Sequence, residues 1–323
     1  MIARKQHSQR IETEDLGDGV QLARFVGDEL GLFGREDAPQ LIDVVERAHR
    51  DPKVRAVIFT GSHPERFVSH ADLAWLQEDG AVIPPVSRRI TSIVAHVAHM
   101  FARTKFTRWL AAKTPMQGAI QLDRMHRTLS LMTTSSTIFV AAMNGSALGV
   151  GAEIAWACDL RLMAEGEYFV GHLEVLLGFA PGAGGTQRLP RLIGTHRALL
   201  AILEGKPLGA AEALELGAVD EIVPGDRLLS RSVERATYLA ARPPAAIGAI
   251  KRAVNRGSSL SLERGLHVER AEFLASLPQR QAQQIMRDYI DETAKIGELP
   301  IYRSGGYAAA LGRGNAANTE MGA

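Results

Sequence analysis

Residues 141–192 read AAMNGSALGVGAEIAWACDLRLMAEGEYFVGHLEVLLGFAPGAGGTQRLPRL, and the fold is decided by what this stretch can do. The run IFVAAM at 138–143 leading into it is the pattern of a buried strand, and it ends in Asn144-Gly145. A turn of small residues, Ser146-Ala147-Leu148-Gly149-Val150-Gly151, then leads into a helix expected to begin near Val150. A glycine-rich approach to a helix start leaves backbone N–H groups unpaired at the positive end of the helix dipole. Such a site suits a phosphate or a developing oxyanion. Taken alone the glycine pattern is common, because many tight strand–helix turns share it.

Working outward, strand-like and helix-like segments alternate. VQLARFV (20–26) alternates apolar and polar residues and predicts a strand. DAPQLIDVVERAHRD (37–51) has apolar spacing near 3.6 and predicts a helix, and VRAVIFTG (54–61) predicts a second buried strand. Downstream come helical patterns, a short strand within GAVDEIV (217–223), and helices to about Lys295. The alternation argues for an α/β fold. Between the two buried strands, residues 81–130 carry eight Lys/Arg (Arg88, Arg89, Arg103, Lys105, Arg108, Lys113, Arg124, Arg127) against the single acid Asp123. Apolar residues recur there at three and four from Ile90 to Leu110, which predicts amphipathic helix. The block is either a helical hairpin with a solvated basic face or a basic rim attracting a phosphorylated ligand. The last twenty residues are rich in Gly, Ala and Asn and predict a flexible tail.

Composition excludes several classes. The 323 residues balance 37 Lys and Arg against 36 Asp and Glu, so no global field marks a nucleic-acid binder. The single cysteine, Cys158, removes an internal disulfide framework and a cysteine-rich zinc site, and fits a reducing cytoplasm. No apolar run resembles a secretory signal or a membrane span, so a soluble cytoplasmic protein is expected. There is no dinucleotide fingerprint or P-loop, and Ser146 lacks the setting of a nucleophile elbow. His96 and His99 lie three apart with no third ligand evident, so no metal is expected.

NGSALGVGAEIAWACD (144–159) followed by LEVLLGFAPGAGGTQRLPR (173–191) resembles the crotonase superfamily, the enoyl-CoA hydratase and isomerase fold. That family's pattern is roughly NGxALGGGxELxxxCD, then PExxLGxxPGxGGTQRLPR. Upstream, VIFTGSHPERFVSHADL (57–73) is similar to its strand-TG…FxxGADL element. Downstream, GKPLGAAEALELGAVDEIVP (205–224) resembles its link to the terminal helices. The likeness runs over about 15–77 and 135–275. It implies a spiral of ββα units with a C-terminal helical oligomerisation region, assembling as trimers or dimers of trimers. The organisation expected is a core at 1–225 with the basic helical insertion at 81–130, a helical region at 226–302, and a tail at 303–323.

The resemblance also implies chemistry. Two backbone N–H groups hold the thioester oxygen of an acyl-CoA enolate, and the matching positions are Ala71 and Val150. Preorganised donors of this kind are commonly worth about 3–4 kcal/mol each. The hydratases add two glutamates, here Glu153 and Glu174, which divide the proton work of hydration. His70, Asp72, Gly149, Gly151 and Lys251 are implied as possible substrate contacts, Lys251 toward CoA phosphates. The implied activity is an enoyl-CoA hydratase of fatty-acid metabolism with an acyl-CoA substrate and no metal or redox cofactor. A same-fold isomerase or thioester hydrolase using one glutamate or His70, and a non-catalytic CoA-binding relative, remain open alternatives.

Five features depart from the family pattern. His70 stands where the family has glycine, and Leu173 where it has proline. Glu153 and Glu174 are 21 positions apart, one more than the family's usual spacing. FVGDELGLFGREDAPQL (25–41) replaces the usual early segment, and the basic block lengthens the connection beside the acyl pocket.

Overall fold

The computed structural model describes residues 10–104, 114 and 116–317. Its spine is a six-stranded sheet in the order β1 (Ile11–Asp15), β2 (Val20–Phe25), β3 (Ala56–Gly61), β5 (Ile138–Met143), β7 (Leu160–Ala164), β10 (Glu221–Val223). Only the β1–β2 pair is antiparallel. Every residue of β3 and β5 is buried, as central parallel strands covered on both faces require. On the face toward the site, Phe25, Phe59 and Phe139 stand side by side across three strands, with centroids 5.8 and 6.1 Å apart. Each buried ring of this kind contributes about 1.5–3 kcal/mol of hydrophobic stabilisation.

Helix α1 (Asp37–Arg50) forms as the apolar spacing predicts: Leu41, Ile42, Val44, Val45 and Ala48 are buried. Its first-turn Asp37 pairs with Arg10.

The strands of the main sheet step one after another into a second sheet, ordered β4 (Arg66–Val68), β6 (Ser146–Leu148), β8 (Phe169–Gly171), β9 (Leu208–Gly209). Thus β3 leads to β4 and helix α2 (Leu73–Ala81), β5 to β6 and a further helix, and β7 to β8 and a 3₁₀ turn at Glu174–Leu177. This is the ββα spiral. It corrects one expectation, since residues 146–148, expected as part of a turn, are a strand paired with both neighbours.

The basic block supplies α3 (Arg88–Phe101) and α4 (Gln117–Met132), which pack as a hairpin around Ala98, Ala102 and Ile120. Asp123, its single acid, is held by His99 Nδ1 at 2.8 Å and by Arg127 Nε at 2.7 Å. Among the block's basic residues, Lys105, Arg108 and Lys113 lie outside the described residues. The apolar stripe of α3 does not face inward: Ile90, Ile93, Val94 and Met100 are exposed.

The helix between β6 and β7 is α5 (Val150–Ala157); beyond β8 the chain forms α6 (Gly185–Ile193), α7 (Thr195–Glu204) and α8 (Ala210–Leu216), followed by α9 (Leu228–Ala240), α10 (Pro244–Gly257), α11 (Leu262–Ser276) and α12 (Arg280–Ile296). Leu228, Ala236 and Ala240 of α9 cover the sheet face formed by Leu22, Ile58, Val140 and Leu162, so the line drawn at 225 divides the sequence but not the core. The tail departs from expectation. Gly306–Arg313 form a helix, α13, tied by Arg242 Nη2 to the Leu311 carbonyl at 3.0 Å, and Ala317 is fully buried. No helix among the described residues is long and apolar enough to cross a membrane.

Candidate active site

Three successive units deliver the site. Strands β4, β6 and β8 lie parallel and end together, linked by Leu148 N–H to Ser69 O (3.1 Å) and Gly149 N–H to Gly171 O (2.8 Å). The residues just past each end therefore converge: His70 and Ala71, then Gly149, Val150 and Glu153, then His172 and Glu174. Ligands of parallel sheets gather at such carboxyl ends. A cavity of about 610 Å³ opens here, floored by Ala71, Val150, Glu153 and Glu174 and walled by apolar residues of α2 and α4. Trp75 in that wall is fixed by its Nε1–H donating to Asp79 at 2.7 Å, with Arg35 over its ring.

Both expected oxyanion donors face this space. Phe33 N–H donates to His70 O (2.9 Å) and Asp72 N–H to Phe33 O (2.8 Å), a parallel bridge opposite Ala71. That pattern consumes the flanking groups and turns Ala71's own N–H to the other side, toward the cavity. Val150 is the first residue of α5, where an N–H has no intrahelical acceptor. Neither N–H donates to a protein group among the described residues. Gly149 before it has φ of 53°, a left-handed conformation that glycine adopts without strain, and a Cβ there would stand 3.0 Å from Glu174 Oε1.

The two carboxyl groups have opposite surroundings. Glu153, 2% exposed, accepts the N–H groups of Ala183 and Gly185 on Oε1, each at 2.8 Å. Burial dominates and pushes its carboxyl above the usual range, against the pull of those N–H groups and of nearby His172. Glu174, 7% exposed, accepts His172 Nδ1–H at 3.1 and 3.0 Å on its two oxygens and Leu173 N–H at 2.9 Å. Burial raises it too, yet the His172 hydrogen bond and backbone donors outweigh burial and hold it below the usual range. Two carboxyls pushed apart in this way can serve as acid and base at one pH.

The remaining expected contacts divide. His70 and Gly149 line the cavity, and His70 Nδ1 donates to Ala71 O at 2.8 Å, folding the ring back on its own turn. Gly151 packs against Val68, and Asp72 caps α2 by accepting Ala74 N–H at 2.9 Å; neither lines the cavity. Lys251 corrects the expectation. It is 8% exposed, and its Nζ is spent on Thr137 O and Asp159 Oδ2, both at 2.7 Å, so it props α10 against the sheet instead of awaiting CoA.

Two participants escaped the sequence reading. Phe33, in the divergent 25–41 segment, braces Ala71 from behind. His172 holds Glu174; its only sequence signal is a polar residue following strand FVG, two before the motif glutamate.

Comparison with known proteins bears on the family. Residues 100–295 match the family model described as enoyl-CoA hydratase/isomerase. The chain is 30% identical to the short-chain-enoyl-CoA hydratase of Clostridium acetobutylicum over 244 residues, 76% of this chain and 80% of that protein. It is 45% identical to the enoyl-CoA isomerase/hydratase fer4 of Mycosarcoma maydis over 130 residues, covering 40% of this chain and about half (47%) of that relative's length. The crystal structure of an enoyl-CoA hydratase from Bacillus anthracis superposes with a TM-score of 0.69 at 26% identity, over 91% of this chain and 99% of that one. With its ββα spiral and these matches, the chain belongs to the enoyl-CoA hydratase/isomerase family of the crotonase superfamily.

Proposed function

We propose that the protein is an enoyl-CoA hydratase, adding water across the trans-2 double bond of an enoyl-CoA to give the 3-hydroxyacyl-CoA, and reversibly so. The observation that carries this is the pair of unequal carboxyl groups sharing one cavity with two uncommitted N–H donors. The thioester oxygen would accept from Ala71 and Val150 as the enolate forms. Ionised Glu174 takes a proton from water as its oxygen bonds to C3, and protonated Glu153 returns a proton to C2. The proton count closes, because the resulting acid Glu174 and base Glu153 re-equilibrate before the next turnover. Each positioned acid or base supplies about 10²–10⁴ in rate. The apolar wall from Trp75, Leu76, Leu122 and Met125 suits an acyl chain.

We further propose a homo-oligomer, a trimer or dimer of trimers. In support, the C-terminal helices leave Ile250, Val254, Leu262, Phe273 and Ile290 exposed in the single chain, an apolar surface of the kind that subunit contacts cover. Light scattering on the purified protein checks the mass. Loss of the conjugated enoyl-thioester absorbance of crotonyl-CoA, and of longer enoyl-CoAs, tests the activity. Absence of hydration on all of them, with double-bond migration instead, would replace the hydratase reading by the one-glutamate isomerase.

A further inference from the structure

The geometry points to His172 as a positioning residue: it bridges both oxygens of Glu174 through Nδ1 and holds that carboxylate toward the reacting water. The inference rests on the hydratase reading for its kinetic consequence, though not for the contact itself.

His172 is 2% exposed, and its Nε2 is buried with no partner among the described residues. A buried imidazole nitrogen left unpaired is unfavourable, so the ring is held by what its other nitrogen does. Nδ1 lies 3.1 and 3.0 Å from the two oxygens of Glu174. Facing both oxygens of one carboxylate, Nδ1 must carry the proton. The ring's orientation is fixed independently by packing. Trp156 meets it edge-on at 5.3 Å, and Gly185 lies against Nε2 so closely that a Cβ there would overlap the ring. The same Gly185 donates its N–H to Glu153. One backbone unit therefore sets the lateral position of the histidine and one hydrogen bond of the opposite carboxyl, which keeps the two glutamates in fixed relation.

Several charged and titratable groups lie near Glu174. Glu153 faces it from α5, and His70 approaches from the turn after β4, its Cβ beside Gly149. Arg188 of α6 stands beyond Glu153, its Nη1 donating to Ala183 O at 3.1 Å. Of these, His172 alone hydrogen-bonds to the Glu174 carboxylate. Consistent with that contact, Glu174 sits below the usual carboxylate range although burial alone would raise it.

The test uses two substitutions and one spectrum on the full-length protein. His172→Phe keeps a ring against Gly185 but has no donor, whereas His172→Asn keeps a donor near the Nδ1 position. In His172→Phe the acid limb of kcat/KM should move upward, so that activity at mildly acidic pH falls about tenfold more than at pH 8. His172→Asn should recover most of that loss. A purely structural histidine would lower activity equally at all pH values and would not be rescued by Asn. An unmoved limb in the Phe variant, or identical profiles for the two variants, overturns the proposal. Independently of turnover, the ¹⁵N spectrum of unliganded wild type should contain an Nδ1-protonated imidazole that disappears in His172→Asn. A bare Nδ1 there overturns the proposal even if the Phe variant does not fold. If wild type hydrates no enoyl-CoA, the hydratase reading fails while the spectrum still decides the contact.

Discussion

Adding one methyl group at Gly185 should displace one or the other of the two glutamates. A Cβ built there overlaps His172 at Nε2 and Cε1 and would stand 3.1 Å from Cδ2. The ring cannot retreat freely, because Trp156 closes one side and Nδ1 is bonded to Glu174. Either the histidine moves by about 1 Å and loses Glu174, or the 183–185 segment moves and loses the Glu153 contacts at 2.8 Å. Overpacking of this kind costs about 1–3 kcal/mol, which for a chain of this size lowers Tm by several degrees. Misplacement of catalytic groups by about 1 Å can cost about 10²-fold in rate. Gly185→Ala is thus expected to fold, to lose a few degrees of Tm by calorimetry, and to lose about 10²-fold in kcat/KM for enoyl-CoA hydration. Combining it with His172→Asn, whose shorter side chain vacates the overlapped space, should restore more Tm than additivity allows. A Gly185→Ala protein with wild-type rate and wild-type Tm would refute the packing argument outright.

Glu153→Gln and Glu174→Gln should each lower hydration by about 10²–10⁴ with the fold intact by circular dichroism, and the double variant should lose less than the product. The kcat/KM profile should have two limbs, falling toward low pH as Glu174 protonates and toward higher pH as Glu153 ionises; a single limb in a wide titration would contradict the shared-proton dyad. The stability sign for Glu153 follows from its raised value: the folded state holds this proton longer than the unfolded chain, so its contribution is complete below the ordinary carboxylate value and is lost as pH rises through the raised one. Tm of Glu153→Gln should therefore equal or exceed wild type at pH 8 and fall short of that advantage at pH 4. Lys251→Met should destabilise by roughly 3 kcal/mol by stranding Asp159, with KM unchanged; a raised KM for CoA substrates with unchanged Tm would restore the phosphate-binding role. His70→Gly should leave kcat/KM within a few-fold, because the ring bonds its own turn; loss of about 10²-fold together with a missing limb would make it an acid or base.

How much could be read in the chain depends on how local the determinant is. Glu153, Val150 and the start of α5 were legible because Gly149 and the residues after it enforce their geometry within one turn. Ala71 was legible through the SHADL match, but the reason its N–H is available lies in Phe33, whose segment carries no family pattern. His172 shows the limit most clearly. Its role comes from the close approach of Gly185, thirteen positions away, and from a turn geometry that places Nδ1 across both oxygens of a glutamate two residues on. No periodicity encodes either fact.

Lys251 failed for the complementary reason: on a helix of ordinary amphipathic pattern, burial of an ammonium is set by Asp159 on a distant strand end, which helix spacing does not display. The exposed apolar stripe of α3 misleads similarly. Spacing at three and four reports that one face differs from the other, not that anything in the same chain covers it. Short-range backbone geometry therefore located the residues that line the cavity, whereas the tuning of its carboxyls came from contacts that only the assembled strand ends create. That division explains why the glutamate positions were readable from motifs while their unequal proton affinities, on which the proposed choice of acid and base rests, were not.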